Sequence, residues 1–269
     1  MIGVFDSGIG GLTAVKALES FCPERDIVYF GDTARVPYGV RTKETIEKYA
    51  LQDCEFLLSL GVNYILVACG TVSSNALDVL RGSFSLPIFG VVEGAAEKAR
   101  EAALAGNGIV AVLGTTATVE SLAFEREIAA KGGGVTVVAQ ACPLLVPLVE
   151  NGRTSAGDKL ANIAVGEYLS DIIPLNPAAV ILGCTHYPLL FEVFTKFLPD
   201  SLLINASEEA ARKLCDFISK NEKSFARGSK KAGKRSFYVS DDPASFAKNA
   251  FAFLGRDISR HVTKVNIDI

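Results

Sequence analysis

The chain has 269 residues, of which 49% are hydrophobic and 21% charged, with a formal net charge of −3. This composition excludes a disordered chain, and the weak negative charge argues against nucleic acid or an anionic membrane as partner. The length suits one long α/β unit or two domains of roughly 100–150 residues each, and no apolar run approaches the ~18–20 residues of a membrane span.

Residues 1–5 read as a strand. They carry no basic segment and too short an apolar stretch for a signal peptide, so a soluble, cytoplasmic protein is expected. The strand stops at Asp6-Ser7-Gly8-Ile9-Gly10-Gly11, and a helix starts near Leu12. Glycines permit the tight turn, and free amides at a helix start favour an anion. Thr13 stands where a dinucleotide fingerprint requires its third glycine, so a plain strand-to-helix turn remains the alternative to an anion site. A second strand at 27–30 ends at Gly31-Asp32-Thr33. The loop Val36-Pro37-Tyr38-Gly39 and a helix through about Leu60 follow. A strand at 62–68 delivers Cys69, a helix follows from about Ser74, and 87–92 reads as a short strand.

The pattern restarts at Gly108. A strand at 109–113 closes on Gly114-Thr115-Thr116-Ala117-Thr118, and a helix begins near Val119. After a strand at 135–139 come a short apolar stretch, 143–151, containing Glu150, and a helix over about 158–169. The next strand ends at Gly183-Cys184. Alternating strand and helix patterns predict parallel sheets flanked by helices, and similar elements at similar spacing predict two tandem halves. The polar, basic stretch 220–235 reads as a solvated connection, or else a docking patch for an acidic partner. A strand at 236–239 and a helix at 243–253 close the chain.

Six cysteines and two histidines offer no Cys-x-x-Cys or zinc-ribbon spacing, which argues against a metal site. In a cytosolic chain the thiols are expected to be reduced. Two of them sit in matching contexts: Ile65-Leu66-Val67-Ala68-Cys69-Gly70-Thr71 and Val180-Ile181-Leu182-Gly183-Cys184-Thr185-His186 both run apolar, then small, then Cys, then polar. Each reads as a buried strand carrying a thiol to its carboxyl end, where ligands of open parallel sheets bind. Two thiols facing one substrate could remove a proton on one face and return it on the other. Asp6 is placed to assist Cys69, and His186 to assist Cys184; a helix cap for Asp6 and a carbonyl partner for His186 are the structural alternatives.

Several stretches, in order along nearly the whole chain, closely resemble the bacterial glutamate racemases of the aspartate/glutamate racemase family. They include residues 4–12, Tyr29-Phe30-Gly31-Asp32, Val36-Pro37-Tyr38-Gly39, Gly114-Thr115-Thr116-Ala117-Thr118, Leu182-Gly183-Cys184-Thr185-His186-Tyr187-Pro188 and Phe237-Tyr238-Val239-Ser240-Asp241-Asp242-Pro243. The resemblance implies two pseudo-symmetric α/β domains, each a mainly parallel sheet flanked by helices, with the active site in the cleft between them. Residues 1–93 plus 207–269 would form the first domain and 94–206 the second. It implies racemisation of L-glutamate to D-glutamate for peptidoglycan precursors, without cofactor or metal. Glutamate is the implied ligand and a homodimer the implied assembly.

By the same resemblance Cys69 and Cys184 are the acid/base pair, with Cys69 acting on the D-enantiomer, assisted by Asp6, His186 and Glu150. Asp6, Ser7, Pro37, Tyr38, Gly39, Gly70, Thr71, Thr115, Thr118, Thr185 and His186 would hold substrate. The family usually reads Cys-Asn-Thr where this chain has Cys69-Gly70-Thr71, so one side-chain contact is lost, for which water or Asn75 could substitute. A racemase for aspartate or another acidic amino acid, and a catalytically idle glutamate-binding regulator, are the alternative readings.

Overall fold

The computed structural model describes residues 1–222 and 232–267; most of the basic stretch 220–235 lies outside them. The chain opens with β1 (Ile2–Asp6), α1 (Leu12–Phe21), β2 (Ile27–Gly31), α2 (Lys43–Ser59), β3 (Tyr64–Val67), α3 (Gly70–Asn75), α4 (Leu77–Ser83), β4 (Ile88–Gly90) and α5 (Val92–Ala105). It continues through β5 (Ile109–Gly114), α6 (Thr116–Glu120), α7 (Ala123–Ala130), β6 (Thr136–Ala141), α8 (Leu145–Glu150), α9 (Lys159–Leu169), β7 (Ala179–Leu182), α10 (Phe191–Phe197) and β8 (Leu202–Asn205). It closes with α11 (Ala206–Asn221), β9 (Arg235–Val239), α12 (Pro243–Leu254) and β10 (Val262–Lys264).

Two all-parallel sheets result, in strand orders β10-β9-β2-β1-β3-β4 and β6-β5-β7-β8. The order 2-1-3-4 of the first four strands recurs as 6-5-7-8, so β3 and β7, which carry the two cysteines, occupy equivalent places. Central strands are buried along their whole length (Ile2–Asp6, Ile27–Gly31, Tyr64–Val67, Ala179–Leu182), as a parallel sheet covered on both faces requires. The edge strand β6 is only half-buried. After the second sheet the chain returns through α11, which packs on α1, and adds β9 and β10 beside β2.

Helix starts are capped where the sequence provides a side chain for it. Asn205 accepts from the Ser207 and Glu208 amides, Asp158 from Ala161, and Asp242 from Ala244 just before Pro243. Two helices start earlier than the sequence suggests: α3 at Gly70 rather than near Ser74, and α6 at Thr116 rather than near Val119. In each case the residue just before the helix, Cys69 or Thr115, is its extended N-cap, so only one or two residues separate strand from helix. Cys22, at the end of α1, and Cys215, in α11, are joined as a disulfide with Cα atoms 6.1 Å apart, which corrects the expectation of reduced thiols for that pair. Cys54, Cys69, Cys142 and Cys184 are free. Among the described residues no helix is long and apolar enough to cross a membrane, and no group of three His, Cys, Asp or Glu side chains is arranged to hold a metal ion.

The glycine-rich turn after β1 is held from within the core. Tyr29, fully buried and stacked on Phe246, donates its hydroxyl to the Gly8 carbonyl at 2.8 Å. Tyr187 does the same in the second half, donating to the carbonyls of Gly114 (3.0 Å) and Cys142 (2.8 Å). A buried carbonyl left without its donor costs about 1–3 kcal/mol. Tyr29→Phe is therefore expected to lower the unfolding free energy by about 1–2 kcal/mol with an unchanged m value in urea denaturation; an unchanged midpoint would show that this bond does not hold the turn.

Candidate active site

The carboxyl ends of β1, β3, β5 and β7 face one cavity of about 370 Å³. Cys69 and Cys184 both line it, together with Ser7, Gly70, Thr71, Thr115, Thr185 and His186. Pro37, Tyr38 and Gly39 form one wall, and Glu150 borders another. Two of the residues expected in contact with substrate stand behind the lining instead. Asp6, 1% exposed, accepts from the Gly8 amide (3.0 Å) and from the Thr185 hydroxyl across the interface (3.4 Å). Thr118, also 1% exposed, backs Thr115, their hydroxyls 3.0 Å apart. Sequence reasoning missed Val36, Pro143, Val146 and Pro147, which give the cavity apolar surface. For Pro143, Val146 and Pro147 the signal was faint: a short apolar stretch at 143–151, of which Leu145–Glu150 folds as a helix.

The two thiols are held differently. Cys69 caps α3; its thiol donates to Ser7 Oγ at 3.5 Å. Burial first, then the Asp6 charge, push it up to about 12, against the opposing pull of hydrogen bonds from Ser7 and from the Val72 amide. It is a neutral thiol across the physiological range. Cys184 Sγ lies 3.9 Å from His186 Nδ1, and His186 Nε2 is 3.0 Å from Glu150 Oε1. Burial alone would lower the imidazole pKa, but hydrogen bonds to Cys184 and Glu150 outweigh it and push it up to about 10. The ring edge packs against Phe253 of α12 at 5.6 Å. An imidazolium beside Cys184 can steady negative charge on sulfur or return a proton to it.

Loops from the two sheets touch across the site. The Thr71 and Thr115 hydroxyls are 3.0 Å apart, the Ala117 amide donates to the Gly39 carbonyl (3.1 Å), and the Asn75 amide donates to the carbonyls of Thr71 (2.9 Å) and Ala117 (3.2 Å). Asn75 is thus committed to this seam and lies outside the cavity lining. Closest of all, a Cβ on Gly70 would sit 1.9 Å from the Gly183 carbonyl oxygen. The position therefore has no room for any side chain while the loops stay in place. Among the described residues no Lys or Arg lines the cavity. An anionic ligand would be received by hydroxyls and by the amides at the starts of α3 and α6.

Comparison with known proteins gives a consistent answer. The model of the Asp/Glu/Hydantoin racemase family matches residues 11–213. The glutamate racemase of Persephonella marina is 41% identical over 266 residues, covering 99% of this chain and 97% of the relative. Among solved structures, glutamate racemase from Francisella tularensis in complex with D-glutamate superposes with a TM-score of 0.89 at 36% identity, covering 99% of this chain and 97% of that one. A glutamate racemase isoform from Bacillus anthracis superposes with a TM-score of 0.91 at 31% identity, covering 100% and 98%.

Two measurements test the site as described. Because the His186 pKa is raised in the folded chain, its contribution to stability is complete below about 6.5 and lost as pH rises through about 10. Glu150→Gln removes the charge from one of the bonds that raise it, so the titration of the ring should move toward 6.5, read by NMR with His261 as the other histidine signal; a titration near 10 that survives the substitution would discharge Glu150 from this role. Gly70→Ala forces the Gly183 loop away and should lower the unfolding free energy by about 1–3 kcal/mol. Gly82→Ala, at a helical glycine with nothing within 4 Å, should leave it unchanged or raise it. Equal effects of the two substitutions would mean that the loops are not in contact at Gly70.

Proposed function

Because the chain belongs to the Asp/Glu/Hydantoin racemase family, we propose that its cavity interconverts L- and D-glutamate by proton transfer at Cα between Cys69 and Cys184. The single observation that carries this reading is that the two free thiols, delivered by equivalent strands of the two sheets, line one cavity. A racemase is an isomerase, and no atoms other than protons need change places.

In this reading one sulfur, as thiolate, takes the α-proton; the C–H pair stays on Cα as a carbanion. The opposite thiol then donates its proton to the other face. For D-glutamate Cys69 is the base and Cys184 the acid, and for L-glutamate the roles reverse. The resting Cys69 thiol is the acid form needed to complete D-glutamate from the L-enantiomer. His186 takes up or returns the Cys184 proton, with Glu150 orienting the ring. Cys69 has Ser7 as its nearest partner, and Asp6 acts from behind, through its charge and its bond to Thr185.

An α-proton beside an ionised carboxylate is very weakly acidic, so charge growing on that carboxylate must meet fixed donors. The Ser7, Thr71, Thr115 and Thr185 hydroxyls and the amides of Gly70 and Thr116, at the first positions of α3 and α6, supply them. Apolar walls from Val36, Pro37, Val146 and Pro147 keep the surrounding dielectric low, which strengthens each donor.

The same reading divides the chain into residues 1–93 with 207–269 and residues 94–206, a division supported by the membership of the two sheets. It takes the protein to be a cytoplasmic homodimer supplying D-glutamate to peptidoglycan precursors. The exposed apolar side chains Leu144, Leu160 and Ile163 support an assembly surface on the second half.

The test is solvent deuterium. Reduced, folded protein in D2O is expected to place deuterium at Cα of either enantiomer of glutamate while optical activity decays. Cys69→Ala and Cys184→Ala should each slow racemisation at least ~10²-fold with an unchanged far-UV spectrum. Glutamate should be preferred to aspartate by roughly 10–200-fold in kcat/KM, the range that one methylene sets. Binding of glutamate without exchange would leave the idle-regulator reading standing, and a preference for aspartate would reassign the substrate.

A further inference from the structure

Five consecutive residues, 36–40, line the cavity. What holds them lies behind them, in a polar cluster that the proposed chemistry does not use. Arg35 Nε is 2.5 Å from Asp32 Oδ2 and its Nη2 is 2.8 Å from Asp53 Oδ1; its third nitrogen donates to Gln52. The Tyr38 hydroxyl donates to Asp32 and lies 3.3 Å from Asp53 Oδ2. Ser240, beyond β9, donates to Asp32 Oδ1 at 2.8 Å, and the Arg35 guanidinium stacks over Tyr49 at 4.2 Å. Both carboxylates are fully buried, and none of Asp32, Arg35 and Asp53 reaches the cavity.

The geometry assigns Asp53 as a positioning residue: from α2, outside the cavity, it fixes Arg35 and Tyr38 and so sets the wall formed by residues 36–40. Arg35 and Tyr38 bracket Val36 and Pro37, so holding both ends of that short span leaves it little freedom. The wall in turn presents the Gly39 carbonyl to the Ala117 amide, which ties it to the opposite half. The assignment rests on the reading of the cavity as the substrate site.

The proton count of the cluster says which form of Asp53 does this. One guanidinium faces two buried carboxyl groups. With both ionised, a net negative charge would be buried without a partner. With Asp53 protonated, Asp32 and Arg35 form a neutral pair, the Asp53 O–H donates to Tyr38 Oη, and Tyr38 donates onward to Asp32. Burial first, then the Asp32 charge, hold the Asp53 carboxyl well above the usual carboxylate range, in keeping with that count. A neutral carboxyl with one acceptor toward Arg35 and one donor toward Tyr38 has the same hydrogen-bonding pattern as a carboxamide. The conservative variant Asp53→Asn therefore keeps every bond, whereas Asp53→Ala breaks two and leaves Arg35 without one of its partners.

The experiment compares the full-length wild type, Asp53→Ala and Asp53→Asn by amide hydrogen exchange of the peptide covering 36–41 and by KM and kcat for glutamate. Asp53→Ala should speed exchange in that peptide and raise KM, each about tenfold, with kcat changed far less. Asp53→Asn should stay within about threefold of wild type in both. Should Asp53→Ala not fold, Tyr38→Phe, which removes the shared hydroxyl, should produce the same local rise in exchange. Wild-type exchange and KM in folded Asp53→Ala would overturn the assignment, as would an Asp53→Asn chain as impaired as Asp53→Ala. Because amide exchange is read without turnover, a chain that proves inactive on glutamate would still report on the loop, and the two readings fail separately.

Discussion

The close approach of two sheet ends is the constraint on which the site depends. Parallel sheets offer their ligand-binding side only at the carboxyl ends of the strands. For two sheets to act on one small molecule, those ends must face each other with almost nothing between them. Here they do so at backbone distance: Gly70 on one side has no room for a side chain because the Gly183 carbonyl of the other occupies it. Thr71 with Thr115, Gly39 with Ala117 and Asp6 with Thr185 tie the same seam on either side of that contact. A cavity of about 370 Å³ is what remains, large enough for a small amino acid. Gly70 thus has a physical consequence of its own: it lets the thiol-bearing loops lie against each other.

Electrostatics follow from that closure. Among the described residues no Lys or Arg lines the site, so the carboxylates of an acidic ligand must be met by hydroxyls and helix-start amides, which act most effectively where the dielectric is low. The same burial keeps the Cys69 thiol protonated, whereas the His186 ring holds its charge against it. For Cys69 the Asp6 charge adds to desolvation; for His186 the bonds to Cys184 and Glu150 overcome it.

Much of this was legible in the sequence, and the reasons differ by element. Buried central strands announce themselves because both faces need apolar residues, so β1, β2, β3, β5 and β7 were found within a few residues. The edge strands β8 and β10 were not, since strands of four and three residues with exposed positions carry neither alternation nor a continuous apolar run. α11 did have a helical pattern, with Ala210, Leu214 and Ile218 buried and Asn205 as its cap, and passed unremarked. The cysteines, Asp6 and His186 could be picked out because strand-end position is a local property. The placement of Asp6 and Thr118 behind the lining could not, because it depends on which way a loop turns. Nor could the cluster around Asp53, whose members come from a strand end, a loop, a helix and a distant segment near Ser240.

The repeated strand order explains why the two acid/base groups correspond in position, and the local sequence explains why they do not correspond in chemistry. After β3 the helix begins at the residue following the cysteine, so Cys69 is met by backbone amides and by Ser7. After Cys184 two residues, Thr185 and His186, precede the next helical turn, and they carry the imidazole to Cys184. A racemase does not need its two halves to match. Free enantiomers have the same free energy in water, so the equilibrium is fixed at unity whatever the protein does, and both directions cross the same barrier. Each sulfur must be able both to lose and to regain a proton, but one can manage its charge with fixed dipoles and the other with an imidazolium. Duplication supplies the facing geometry, which has to be nearly symmetric about one carbon; the surroundings of each thiol are then free to diverge.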